Sequence, residues 1–192
     1  MAQLKFIRVL VAVVLFGLVM PLDLVAQNFT VDNQKSTLKV LGTSSLHDWE
    51  INAEKQSGSL QIEAGDLLTI QTLKMTFDVN ALKSGKSAMD KNTRNALNYD
   101  DYKTITFNFS KLKSSKKEGN FYNVVVVGDL TIAGSKKAIE LPLRLEKSNG
   151  VVTLTGKKAL KMTTFNIEPP TALLGSIKTG DDITIKFNTV FN

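Results

Sequence analysis

The chain has 192 residues, 24 Lys+Arg against 18 Asp+Glu, a net charge of +6, one histidine, one tryptophan and no cysteine. Without cysteine there are no disulfides, no thiol chemistry and no thiol for a lipoprotein anchor. One histidine rules out the usual multi-histidine zinc site.

The first segment sets the compartment. Lys5 and Arg8 precede an apolar run from Val9 to Met20 that ends at Pro21, and Leu24-Val25-Ala26 puts a small residue before a polar start at Gln27. This is the layout of a secretory signal peptide. The apolar run falls short of the roughly 20 residues a bilayer-spanning helix needs. The expectation is a cleaved leader over 1–26, then one domain over 27–192, periplasmic or secreted.

Period-two alternation recurs from about residue 36. Leu73, Met75, Phe77 and Val79 alternate with polar residues, as do Ile105, Phe107 and Phe109, then Ile139, Leu141, Leu143 and Leu145, then Ile183, Ile185 and Phe187. Strands with one apolar and one polar face belong to an antiparallel sheet with water on one side. Val124–Val127 is apolar on both faces and reads as a strand covered on both sides. Ser114–Asn120 reads as an exposed hairpin loop, with shorter turns at Ala133–Lys136 and Ser148–Gly150.

Between residues 80 and 104 the alternation stops. Ser87-Ala88-Met89-Asp90 has the form of a capping box and predicts a short helix running to about Asn98. Asp90 and Arg94 are four apart on it, a spacing at which they would pair with each other. About eight short strands must hide their edges, and closing into a barrel does so. The predicted fold is therefore all-β: an eight-stranded antiparallel barrel with a short helix near one end.

Catalytic groups are scarce. Gly85-Lys86-Ser87 resembles the end of a phosphate-binding loop, but Asn80 stands where the loop needs glycine. No cofactor, no metal site and no catalytic residue is expected. The lysines are spread along strands and turns, and after Arg8 only Arg94 and Arg144 supply guanidinium groups. That excludes a clustered nucleic-acid surface. The positive excess reads as a solvated surface or as a mild attraction for anionic lipid head groups, a transient membrane contact. Oligomeric state is left open, a dimer included.

Ser44–Trp49 holds the only histidine and tryptophan. In one reading His47 sits at a cavity mouth and bonds a ligand head group while Trp49 lines the path beside it. In the other, Trp49 is a core plug and His47 a polar partner.

Several motifs, taken in order, resemble one family. They are Phe29–Asp32 with Ser36–Val40, the Gly42–Trp49 turn, Met75–Asn80 followed by Asp90, and Tyr99–Phe107. The hairpin Gly128-Asp129-Leu130-Thr131-Ile132-Ala133-Gly134-Ser135-Lys136-Lys137 and the closing pair Leu160–Ile167 and Gly180–Phe187 follow. Together they resemble the YceI-like family of periplasmic, lipocalin-like, polyisoprenoid-binding proteins, over nearly all of residues 28–192. The resemblance implies a lipocalin-like barrel that carries a long apolar lipid, such as a polyisoprenoid, an isoprenoid quinone or an acyl lipid, without reacting it. On that basis Phe77, Val79, Leu97, Phe107, Phe109, Leu143, Phe165, Ile167 and Phe187 are expected to form the apolar wall. His47 and Trp49, with a lysine, are expected at the mouth. The alternatives are a packed barrel that binds an envelope partner by its surface, and an enzyme acting on a bound lipid.

Overall fold

The computed structural model describes residues 27–64, 67–172 and 174–192. The expected leader, 1–26, lies outside them. The strands, in chain order, are β1 (Gln27–Thr30), β2 (Thr37–Ser44), β3 (Trp49–Ala53), β4 (Gln56–Ala64), β5 (Leu68–Asp78), β6 (Leu82–Lys83), β7 (Thr104–Glu118), β8 (Phe121–Ile132), β9 (Ser135–Ser148), β10 (Val151–Lys161), β11 (Thr171–Ala172) and β12 (Ile177–Phe191). Among the described residues the one α-helix, α1, spans Ser87–Ala96, and 3-10 turns cover Val79–Ala81 and Met162–Phe165.

Every strand pairing is antiparallel. The path runs β1-β4-β5-β7-β8-β9-β10-β12-β2-β3-β6, with β11 paired only to β12. The sheet therefore curls, and β12 meets β2 near the start of the chain. The expected count of eight is corrected: eleven strands lie along the path. The reason is local. Glu54 and Lys55 interrupt one long wall, so β3 and β4 are separate, and short β1 and β6 extend the two ends. Backbone bonds bind that interruption. Glu54 N–H donates to Ala81 O at 2.9 Å and Asp78 N–H to Lys55 O at 3.1 Å.

Two more expectations change in detail. The loop expected over Ser114–Asn120 shrinks to a tight turn, because β7 runs to Glu118 and β8 starts at Phe121. Gly119 supplies the positive φ of that turn, 58°. In β8, Val124 and Val126 are buried, but Val125 and Val127 on the outer face are only half-buried. That strand is fully covered on one side.

The helix begins differently from a capping box. Lys86 is the N-cap, and its side chain makes no capping bond. The Asp90 carboxylate instead accepts from Ser84 N–H at 2.8 Å and Ser84 Oγ at 2.6 Å. Asp90 is 9% exposed and points back into the β6–α1 link rather than pairing with Arg94.

The inner face divides along its length. At one end Phe29, Leu60, Ile62, Tyr122, Val124, Leu145, Val152 and Phe191 pack into a single cluster. Val126, Leu145, Val152 and Phe191 there have no exposed surface. Burying side chains of this kind contributes about 1.5–3 kcal/mol each, so this end is the main stabilising body. A second, smaller cluster of Ile51, Ala53 and Leu82 ties β3 to β6, with Met89 and Leu97 of the helix region packed on it.

Candidate functional site

The other end of the curled sheet is hollow. It encloses a cavity of about 450 Å³, within the usual size of small-molecule pockets. Its floor is the edge of the packed cluster: Leu73, Met75, Phe107, Leu130, Leu143 and Leu154. Leu38, Val40, Ile51, Ile183 and Phe187 continue the wall. Met89, Thr93, Ala96 and Leu97 bring one face of α1 over it. This placement follows from the sequence. Alternation on β5, β7, β9 and β12 puts apolar residues at every second position, and the curl turns those positions inward.

Of the residues expected in the wall, Phe77, Leu97, Phe107, Leu143, Phe165, Ile167 and Phe187 line the cavity. Val79 and Phe109 do not, and those two placements are corrected. The alternation of β5 ends at Asp78. Its carboxylate accepts from Asn80 N–H at 2.9 Å and starts a 3-10 turn. Val79 thus turns into buried packing outside the cavity, 1% exposed, with its N–H bonded to Lys103 O. Phe109 does follow the alternation, but it lies farther along β7, next to a register shift between Phe109 and Lys111, where it packs on the solid cluster.

At the open end stand His47 and Trp49, and both line the cavity. The Ser44–Trp49 turn is held by its own hydrogen bonds. Ser44 Oγ donates to His47 O at 2.8 Å and accepts from His47 N–H at 3.2 Å. His47 Nδ1 stands 2.6 Å from Asp48 O. A carbonyl only accepts, so Nδ1 carries the proton and Nε2 is left as an acceptor in the neutral ring. His47 is exposed and Trp49 half-buried. The Trp49 ring lies flat over Gly42, its register partner, where any β-carbon would collide with it. Trp49 Nε1 donates to Thr43 O at 2.9 Å, so its one polar atom is satisfied by the barrel itself. Trp49 is therefore both wall and rim.

Sequence reasoning left several lining residues unnamed, and Lys158 is the one whose chemistry differs most from the wall around it. Lys158 lies on the inner face of β10, in step with Val152, Leu154, Gly156 and Leu160, half-buried and opposite Ile185. The same alternation that marks apolar positions marks this one, but a lysine in that register reads as a solvent residue. Among the described residues its ammonium finds no ion-pair or hydrogen-bond partner. Pro142 explains the space around it. Pairing of β9 with β10 stops at Leu143↔Gly156, because Pro142 has no N–H to donate to the next rung. Lys161, farther toward the rim, is held by Asp182 at 2.8 and 2.9 Å, a bond that raises its pKa. Asp181 is held low, first by the Thr163 backbone N–H at 2.8 Å and then by the Thr163 hydroxyl at 2.7 Å, which fixes the Met162–Phe165 turn against β12.

Chemically the cavity is a solvent for hydrocarbon with a few polar atoms at its mouth. Among the described residues no three His, Cys, Asp or Glu side chains stand close enough to hold a metal.

A family model described as a YceI-like domain matches residues 29–191. Three solved structures share the fold. BcnA of Burkholderia cenocepacia is 23% identical, with a TM-score of 0.69 over 83% of this chain and 98% of that one. A domain of Saccharophagus degradans described as polyisoprenoid-binding is 14% identical, with a TM-score of 0.68 over 85% of this chain and 97% of that one. The Campylobacter jejuni YCEI protein is 18% identical, with a TM-score of 0.58 over 73% and 82%. No curated protein matches the chain significantly.

Proposed function

Since the chain belongs to the YceI-like domain family, and since one end of its sheet encloses an apolar cavity, we propose that it binds a long apolar lipid and carries it unreacted in the cell envelope after export. The observation that supports this most directly is the lining: aromatic and aliphatic side chains from β2, β5, β7, β9, β10, β12 and α1 face one cavity of about 450 Å³. Each methylene transferred from water into such a lining contributes roughly 0.8 kcal/mol, so a chain of ten or more carbons binds without a hydrogen bond. The description of the Saccharophagus degradans domain points to polyisoprenoids as the chemical class. An isoprenoid quinone or a fatty acyl chain has the same apolar character. In this reading the head group of the lipid meets His47 and Lys158.

The packed-barrel alternative expects an interior filled from end to end, and the hollow end weighs against it. The reading is tested by native mass spectrometry of the protein purified from its own envelope, followed by solvent extraction and lipid identification. A stoichiometric long-chain lipid is expected. A clean apo mass, with no uptake when polyprenol, quinone or fatty acid is offered, would overturn carriage. Phe107→Asp places a charge in the wall and is expected to abolish retention in a protein that still folds.

A further inference from the structure

Four large apolar side chains are exposed among the described residues: Leu46, Leu67, Tyr102 and Leu174. Two of them belong to the cavity mouth. Leu46, 66% exposed, is in the Ser44–Trp49 turn and itself lines the opening. Leu174, fully exposed, is at the tip of the β11–β12 hairpin, whose base residues Thr171, Ala172 and Ile177 line the same cavity.

The two loops form one rim. Ser45 N–H donates to Lys178 O at 2.9 Å, and Lys178 N–H donates to Ser45 Oγ at 3.1 Å. Leu174 also has φ of 55°, the left-handed region. A glycine or asparagine is the ordinary choice there, and a branched apolar residue in that conformation is a strained outlier. An exposed leucine held in a strained turn has no folding advantage to explain it, so its role lies outside the fold.

The charge beside the rim is basic. The stretch that brings α1 over the cavity carries Lys83, Lys86, Lys91 and Arg94, and its one carboxylate, Asp90, is turned back to Ser84. Lys86 lines the opening, and Lys178 stands in the same hairpin as Leu174; both side chains are exposed and make no ion pair among the described residues. The acidic groups of the neighbouring segments are Asp48, Glu50, Asp100, Asp101, Glu168, Asp181 and Asp182, of which Glu50 is taken by Lys39, Asp100 by Lys103, Asp101 by Asn98, Asp182 by Lys161 and Asp181 by Thr163. Exposed apolar side chains between cationic ones are the pattern that inserts into the head-group region of an anionic bilayer.

We propose that the cavity mouth docks on the surface of an anionic lipid bilayer, with Leu46 and Leu174 inserted and the α1 cations over the head groups, so that a lipid tail passes between membrane and cavity. This rests on the cavity being a lipid site. It is tested with protein recovered from the exported fraction, its N-terminus defined by intact mass, mixed with vesicles of phosphatidylethanolamine and phosphatidylglycerol. The wild type is expected to co-sediment, less so with purely zwitterionic vesicles and less as salt rises. The Leu46→Ser/Leu174→Gly variant is expected to lose about tenfold in partitioning, and Leu174→Gly alone, outside the cavity lining, to lose part of it while taking up polyprenol dispersed in detergent-free buffer as the wild type does. Glycine suits the φ of position 174, so this variant has no reason to misfold. Wild type that stays in the supernatant, as it would if the rim fitted a protein partner, overturns the proposal. So does a double variant that partitions like wild type. A wild type that partitions yet takes up no chain overturns the cavity reading alone.

Discussion

A β-carbon on Gly156 would stand 2.6 Å from the ring of Phe187, its register partner across β10 and β12, and 2.9 Å from the backbone oxygen of Pro142. The ring therefore lies flat against the wall, in the space a side chain would take. The Pro142 oxygen is backbone and cannot move aside cheaply, so any side chain at 156 must push the ring into the cavity. Gly156→Val is expected to cost about 1–3 kcal/mol by overpacking and to weaken polyprenol uptake at least tenfold. Phe187→Ala in the same background is expected to restore much of the uptake, a coupling that a double-mutant cycle reads directly. Equal uptake by Gly156→Val and wild type would mean that the ring does not shape the cavity.

Asp90 fixes the helix that covers the cavity. Its pKa is held below the ordinary 3.8, first by the Ser84 hydroxyl and then by the Ser84 backbone N–H. A depressed carboxyl stabilises the fold fully above its unfolded pKa, and that contribution is lost as pH falls through the lower folded value. The anchor is therefore intact at neutral pH and released only in acid, below about pH 4. Asp90→Asn keeps the shape but weakens both bonds, and is expected to cost about 1–2 kcal/mol. The checks are hydrogen exchange over residues 84–97 and ligand off-rate, both of which should rise. Unchanged exchange in the variant would remove Asp90 from this role.

The strands were legible because alternation survives wherever one face meets water. Phe77, Phe107, Leu143 and Phe187 sit where that period puts them, and the curl of the sheet brings them together. What period-two counting misses is where a wall ends. Val79 keeps the spacing, but the Asp78 carboxylate starts a 3-10 turn there. Phe109 keeps both spacing and face, yet depth along the strand decides between hollow and solid, and depth depends on which strands cross at that level. The break at Glu54-Lys55, which divides β3 from β4, carries no glycine or proline to announce it. Lys158 was hidden by its type, since a charged residue on an inner face is legible only once Pro142 is seen to end the β9–β10 ladder.

Lys158 is expected to set the head-group preference. Its side chain lines the cavity, and among the described residues its ammonium makes no ion pair; it acts on Glu140 only through space, and that carboxyl is lowered first by Lys113. An ammonium in an apolar wall favours a ligand with an anionic end over the same chain with a neutral end. Wild type is expected to hold a long-chain fatty acid roughly tenfold tighter than its methyl ester, equivalent to about 1.4 kcal/mol, and Lys158→Met is expected to erase the difference. Competition between the two ligands measures it. A preference that persists in Lys158→Met assigns head-group recognition elsewhere on the rim, with His47 next to be replaced.

Gln56 presents the opposite case, a polar group that the fold leaves unsatisfied. It is 4% exposed at the start of β4, opposite Phe77, and neither its side-chain oxygen nor its nitrogen has a partner among the described residues. Its backbone N–H is satisfied by Asn33 Oδ1 at 2.7 Å, so the strand start does not depend on the amide. A buried amide without a hydrogen bond costs about 1–3 kcal/mol, whereas an apolar side chain of similar length removes that cost and keeps the packing. Gln56→Met is therefore expected to stabilise the protein by about 1–2 kcal/mol. Gln56 does not line the cavity, so ligand affinity should stay as it is. Urea denaturation with an unchanged m-value checks the first part and ligand titration the second. A destabilised Gln56→Met would mean that the amide is satisfied by a bound water, and the interior at this corner would then count as wet.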